Sequence, residues 1–237
     1  MPWANVPITE KVSVHTENIV YAKVEECDMK VLALNGSQNA KGVTYHAIRL
    51  AAEELEKEGI ALDVVHVGSK PLAGCIDCRK CRTNGHHCIH DDIVNRIIDM
   101  LPDYDGLILG CPVHYMGIPG PFKACLDRLL YATEHLEGWG PKPAAAIAVC
   151  RRAGAISTAQ QLGNYLNCAN LLTVNSQYWN IVFGWKPQEF LEQDAEGVQT
   201  MRVLGRNMAW ILKVIEASKG VIPAPVYEKR VRANFCR

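Results

Sequence analysis

The sequence predicts an α/β protein: a three-layer sandwich, a five-stranded parallel sheet with helices on both faces. Two observations predict it. Five short apolar runs alternate with stretches of helical period, and the runs are near-continuously apolar, as strands covered on both faces are. No internal repeat or low-complexity segment interrupts this alternation.

The first strand is read at residues 30–34, Lys-Val-Leu-Ala-Leu, ending in Asn35-Gly36-Ser37. A helix over 44–58 follows, with Ile48, Ala51, Ala52 and Leu55 as its apolar stripe and Gly59 at its C-terminal turn. Residues 61–67 make the second strand, and a cysteine-rich loop occupies 72–90. Asp91 and Asp92 are placed to cap a helix whose stripe is Ile93, Val94, Ile97, Ile98 and Leu101. The third strand is 106–110. A loop with Pro112, Gly117, Pro119 and Pro121 leads into a helix over 123–130. The fourth strand is 144–149, a helix spans 155–168, and a fifth strand begins at 171–174. After a long loop, Val198, Met201, Leu204, Met208, Ile211, Leu212 and Ile215 mark the last helix, closed by Gly220. The domain is thus expected over 30–219, with an N-terminal extension (1–29) and an extended tail (220–237) holding Pro223 and Pro225.

The 237 residues suffice for one such domain with a sizeable core. Lys plus Arg number 25, as do Asp plus Glu. That balance offers no general attraction for nucleic acid or an anionic membrane. No run approaches the roughly 20 apolar residues of a membrane-spanning helix. Residues 1–10 lack a basic patch followed by an apolar stretch, so a cytoplasmic protein is expected. Ten cysteines are many for this length. An α/β core does not need disulfides, so thiols kept reduced for a metal or cluster fit better.

In a parallel sheet, ligands sit beyond the carboxyl ends of the strands. Three loops there carry chemistry. The first, from Gly36-Ser37 to Thr44, joins a strand to a helix N-terminus, where free N–H groups and the helix dipole favour a phosphate. Ser37, Asn39 and Thr44 add donors. The loop is neither a Walker loop nor a GxGxxG fingerprint, and turning and capping alone also account for its Gly and Ser.

The second loop is Gly110-Cys111-Pro112-Val113-His114-Tyr115-Met116-Gly117-Ile118-Pro119-Gly120. Pro112, Val113, Tyr115 and Met116 can wall a planar ring, and Gly117 permits close backbone approach. The third is Cys75-x2-Cys78-x2-Cys81, with Cys88 after six more residues. Its first three cysteines have the spacing that opens bacterial ferredoxin cluster runs. Zinc is a second reading, with His86, His87 and His90 leaving a mixed site open. A loop of bare thiols is a third.

From about Lys30 to Lys213 the sequence resembles the NADPH-dependent FMN reductase group of flavodoxin-like proteins. The resemblance is carried by Gly36-Ser37 through Thr44, by Pro112 through Gly117, by Lys123…Asp127-Arg128 and by Asp194-Ala195-Glu196-Gly197. It implies FMN phosphate on the first loop and the isoalloxazine on the second, with residues 151–155 bordering the flavin. The contacts it implies are Ser37, Asn39, Val43, Thr44, Pro112, Val113, His114, Tyr115, Met116, Gly117, Arg152 and Gly154. Two departures stand out. Asn39 occupies a position where many relatives have Arg, and Ala153-Gly154-Ala155 replaces paired glycines.

Within that group, the cysteine loop looks like that of the iron–sulfur flavoproteins. That likeness implies a 4Fe–4S cluster on Cys75, Cys78, Cys81 and Cys88, close to FMN, in dimers or larger oligomers such as a homotetramer. It further implies ferredoxin or NAD(P)H as donor and a quinone, an oxygen species or a small organic oxidant as acceptor. No side chain need be catalytic, since the chemistry belongs to the cofactor. The competing expectations are a cluster-free reductase, a flavodoxin-like electron carrier and a metal-stabilised binding module. A carrier would suit a more acidic chain than this one.

Other residues have plainer readings. Cys27, Cys111, Cys125, Cys150, Cys168 and Cys236 share no ligand spacing and are expected to act as small apolar residues. Arg151-Arg152 suits an anion or a solvated loop. Trp179 and Trp185 belong to a stretch expected at the cofactor cleft or at a subunit interface.

Overall fold

A computed structural model describes residues 29–134, 140–228 and 231. Strand β1 (Lys30–Asn35) leads through the first loop into helix α1 (Val43–Glu56) and strand β2 (Ala61–His66). The cysteine loop connects β2 to α2 (Ile93–Met100). Strand β3 (Gly106–Pro112), α3 (Gly120–Thr133), β4 (Pro143–Cys150) and α4 (Ala155–Cys168) follow. Two short strands, β5 (Leu172–Thr173) and β6 (Ile181–Phe183), precede α5 (Pro187–Gln193) and α6 (Ala195–Ser218).

All strands are parallel, in the order β2-β1-β3-β4-β5, with β6 also paired to β4. This is the flavodoxin-like order, with its switch point between β1 and β3. The alternation along β1 shows why two helix layers are needed. Val31 and Ala33 pack toward α1 and α6, whereas Leu32 and Leu34 pack toward α2, α3 and α4. Every residue of β4 is buried. Its small Ala residues let helices approach from both sides.

The fifth strand position departs from the sequence reading. It is split, with β5 covering the first half of β4 and β6 the second. The intervening segment is stitched by Asn180, which is buried. Its side-chain oxygen accepts from Ser176 N–H at 3.0 Å, and its carbonyl accepts from Ala148 N–H at 3.1 Å. Helix α5 was also missed by periodicity, because only Phe190 of its seven residues is buried.

α6 lies directly on α1. A Cβ on Gly205 would stand 2.4 Å from the Ala51 carbonyl, so this crossing requires glycine. Beside it Glu54, buried, receives hydrogen bonds from Arg206 (2.7 Å) and Lys57 (2.6 Å). Among the described residues, no helix is long and apolar enough to cross a membrane. The N-terminal extension up to residue 28, with Cys27, lies outside the described residues, as do Cys236 and most of the last nine residues.

Candidate functional site

Because the strands are parallel, the loops after β1, β3, β4 and β6 emerge at one edge and enclose a cleft of about 720 Å³. That size suits a cofactor. At the end formed by the first loop, Asn35 Oδ1 accepts from Ser37 N–H (3.1 Å) and Asn35 Nδ2 donates to the Ala40 carbonyl (3.2 Å). His66 Nε2 donates to the Ser37 carbonyl at 2.7 Å, which fixes the loop from the β2 side. Gly68 packs so closely that a Cβ there would stand 2.2 Å from the same carbonyl oxygen. The helix behind this loop starts at Gly42 with no side-chain cap and no acidic residue in its first turn. A first turn of that kind has N–H groups to offer an anion.

Asn39 shapes the loop and brings no charge to it. Its N–H donates to Ser37 Oγ (3.2 Å) and its Oδ1 accepts from Lys41 N–H (3.2 Å). Positive charge comes from across the cleft, where Arg151 and Lys186 join its lining. Among the described residues, no Asp or Glu is in that lining. The donor set therefore fits the phosphate end of FMN.

The segment expected to wall a planar ring is the turn after β3. His114 N–H donates to the Gly117 carbonyl (2.9 Å) and Gly117 N–H returns to the His114 carbonyl (3.0 Å). Tyr115 (φ 42°) and Met116 (φ 68°) occupy its centre, both left-handed without being glycine. Two left-handed central residues define a type I′ turn, and non-glycine residues there store strain. Gly154, at φ 88°, braces the turn from the loop after β4. A Cβ there would stand 2.7 Å from Val113 Cγ1 and 3.1 Å from Met116 Cα.

The structure thus brings Ser37, Asn39, Val43, Thr44, Pro112, Val113, His114 and Tyr115 to the cleft lining. Met116, Gly117, Arg152 and Gly154 do not join it. The first two form the back of the turn, Gly154 braces it, and Arg152 faces solvent. Arg151, Cys150 and Trp185 join the lining. Trp185 is 72% exposed, and the Arg151 guanidinium lies 6.0 Å from its ring centroid. Trp179, by contrast, is not part of the cleft lining.

The four cysteines line one small pocket with Ile76, Ile89, His90, Arg128, Tyr131 and Ala132. Asp77 (φ 49°) and Arg79 (φ 58°) are left-handed, one inside each C-x2-C step, and bend the chain around that pocket. Cys81 is buried, Cys88 half-buried, and Cys75 and Cys78 exposed. Burial first, and then the neighbouring Cys78, Cys88 and Cys75, push the Cys81 thiol up. The pocket is narrow, and no three His, Cys, Asp or Glu side chains among the described residues are placed to hold a metal ion as they stand.

One nitrogen donor contacts these thiols, and a second lines the same pocket. Arg128, on α3 and only 2% exposed, donates from Nε to Cys88 Sγ at 3.2 Å. Its other nitrogens hold Asp92 (2.7 and 2.9 Å) and the Ala73 and His90 carbonyls (3.2 and 3.0 Å). His90 Nε2 is buried without a hydrogen-bond partner. Four cysteines supply the thiolate ligands of an iron–sulfur cluster, and N–H donors hydrogen-bond its sulfurs. Of the expected caps, Asp92 is the one that caps α2, accepting from Val94 N–H at 3.0 Å. Sequence reading had Arg128 only as part of a resemblance. No local signal ties it to Asp92, 36 residues earlier.

Cys111 and Cys125 are wholly buried in the apolar layer, which pushes both thiols up, that of Cys125 to about 12. They act as small apolar residues. The Asp194…Gly197 segment is structural too: Asp194 caps α6 through Gly197 N–H (2.9 Å) and also accepts from Phe183 N–H (2.6 Å).

The family model of the NADPH-dependent FMN reductases matches residues 29–186. The chain belongs to this family. As a member it is a flavin-dependent oxidoreductase that uses FMN. Among curated proteins, an iron–sulfur flavoprotein of Methanocaldococcus jannaschii is 29% identical over 198 residues, covering 79% of this chain and all of the relative. One from Methanosarcina thermophila is 28% identical over 196 residues, covering 81% and 99%. Among solved structures, an NAD(P)H:quinone oxidoreductase from Methanothermobacter marburgensis superposes with a TM-score of 0.57 at 16% identity, covering 77% of this chain and all of that one. RosB, solved with a formylated riboflavin phosphate intermediate, gives 0.64 at 17% identity, covering 87% and 92%. These two likenesses concern the fold.

Proposed function

We propose that this FMN reductase family member is of the iron–sulfur flavoprotein type. It would take electrons from ferredoxin or NAD(P)H and pass them to a small acceptor through FMN and a 4Fe–4S cluster. The observation that carries this reading is the single pocket shared by Cys75, Cys78, Cys81 and Cys88, backed by the Arg128 and His90 nitrogens. The curated relatives that bear the iron–sulfur flavoprotein name support it.

FMN, when bound, supplies one- and two-electron chemistry, and a cluster supplies one-electron chemistry. The chain's own residues bind and orient. The first loop and α1 N-terminus take the phosphate, the 112–115 wall takes one ring face, and Arg151 and Trp185 flank the cleft mouth. Cys75, Cys78, Cys81 and Cys88 would hold the cluster, with Cys75 and Cys78 on its exposed side. The narrowness of the pocket favours, as the second reading, a cluster-free NAD(P)H-dependent FMN or quinone reductase.

The chain would work as a homodimer or homotetramer. Exposed Ile76 and Ile89 beside the cysteines, and exposed Tyr178, Trp179 and Phe183 around β6, offer apolar surface for it. A monomer at micromolar concentration in sedimentation would contradict that assembly.

Anaerobic turnover with a quinone tests the electron path. Reduced ferredoxin should support acceptor reduction by the wild type, and Cys78→Ser should lose most of that rate while keeping FMN. A Cys78→Ser variant as fast as wild type would leave the cluster-free reductase standing. No turnover with any donor would indicate a carrier.

A further inference from the structure

We infer that Arg128 is the positioning residue of the cysteine pocket: through its contact with Cys88 and its grip on the loop's ends, it sets how firmly a cluster is held and at what potential. The inference rests on the cluster reading proposed above.

The geometry is specific. A guanidinium has five N–H donors in a fixed fork, and Arg128 uses them in five contacts on one loop. Nε donates to Cys88 Sγ at 3.2 Å. Nη1 reaches the Ala73 carbonyl, two residues before Cys75, at 3.2 Å. Nη2 reaches the His90 carbonyl, two residues after Cys88, at 3.0 Å. Asp92 accepts from both Nη atoms, at 2.7 and 2.9 Å. Both ends of the ligand loop are therefore clamped to one rigid helix position. Asn95 adds a second clamp by exchanging hydrogen bonds with the Cys88 backbone at 2.8 and 3.0 Å.

The electrostatics point the same way. A side chain 2% exposed is a costly place for a cation. Asp92 balances it in part, yet Arg128 also faces four thiols, which carry negative charge once they bind metal. A buried cation and an N–H···S bond stabilise the more reduced, more negative state of such a group. Cluster potential follows net charge and hydrogen bonds to sulfur. His90 Nε2, buried with no partner in the same lining, is a second donor available to the occupant.

The test uses full-length protein after anaerobic reconstitution with iron and sulfide. It compares wild type with Arg128→Lys, which keeps the charge but not the fork, and Arg128→Gln, which loses both. Retained FMN reports that the flavin domain is folded. The readouts are the rate at which a chelator strips iron and the midpoint potential of the cluster. Both variants should lose iron about 10–100-fold more readily, the usual range for outer-layer partners of a metal site. The potential should fall in Arg128→Gln and fall less in Arg128→Lys. Wild-type iron retention and potential in both variants, with FMN retained, would overturn the inference. If the Arg128 variants lack FMN, Asp92→Asn decides the matter. It keeps the helix cap and weakens the grip on the guanidinium, so faster iron loss supports the role and an unchanged rate overturns it. Wild type that takes up no iron would overturn the cluster reading itself, a result distinct from failure of the variants alone.

Discussion

Gly154 shows how a single residue connects sequence to site. Its φ of 88° and its 2.7 Å clearance from Val113 leave no room for a side chain. Gly154→Ala should cost about 1–3 kcal/mol in chemical denaturation through strain and overpacking. It should also weaken FMN binding, because the ring wall it braces shifts. Unchanged stability would mean that the turn yields freely. Met116 offers the opposite case. Its φ of 68° is left-handed, so Met116→Gly should relieve strain of about 1 kcal/mol, offset in part by glycine's greater freedom when unfolded. A denaturation midpoint below wild type would contradict the strain assignment. At this scale the sequence was partly legible. Eight of the twelve residues expected at the flavin line the cleft, since loop position sufficed to place them there. That Arg151 and not Arg152 lines the cleft depends on the direction each side chain takes after β4, which composition does not encode. Arg128 was hidden for a different reason: its partners come from another loop.

Among the elements, strands β1, β3 and β4 and helix α4 were readable because each is a near-continuous apolar run or a full helical stripe, and β2 was read across the exposed Asp63 that interrupts it. The edge was not. β5 and β6 share one position beside β4, and the break between them is maintained by the side-chain amide of Asn180, a contact without periodic signature. The approach to α6 is governed by Asp194, which caps the helix and holds the end of β6 with the same carboxylate. Asp194→Ala should therefore cost about 1–2 kcal/mol, the upper range for a lost N-cap. Urea denaturation would show it as a lower midpoint. Because Trp185 follows β6, its emission should change as well. A midpoint unchanged within error would show that the cap is redundant.

For the whole molecule, the α1–α6 layer contains the buried Glu54 carboxylate. Hydrogen bonds from Arg206 and then Lys57 hold it below its usual range, against the opposing effect of burial. A carboxyl depressed in the folded state stabilises the fold above its unfolded value, about 4.3. That stabilisation is lost as pH falls through the lower folded value. Glu54→Gln should lower stability by about 1–2 kcal/mol at neutral pH, a figure tempered by the exposure of Arg206 and Lys57. The difference from wild type should shrink toward acid. A difference constant from pH 7 to pH 3 would contradict the linkage. On the opposite side of the sheet, Arg128 and Asp92 tie the cysteine loop to α3. Among the described residues, each layer thus has one buried charge held by an ion pair, Glu54 and Arg128, and only the second adjoins thiols.

The central claim is that one chain holds two redox centres, FMN in the cleft and a cluster on the cysteine loop. Iron and FMN quantification on anaerobically purified protein, with its absorbance spectrum, tests it most directly. About four irons and one FMN per chain, with iron lost and FMN kept in Cys78→Ser, is the expected result. FMN without iron, even after anaerobic reconstitution, would contradict it and leave a flavin reductase whose four thiols serve no cluster.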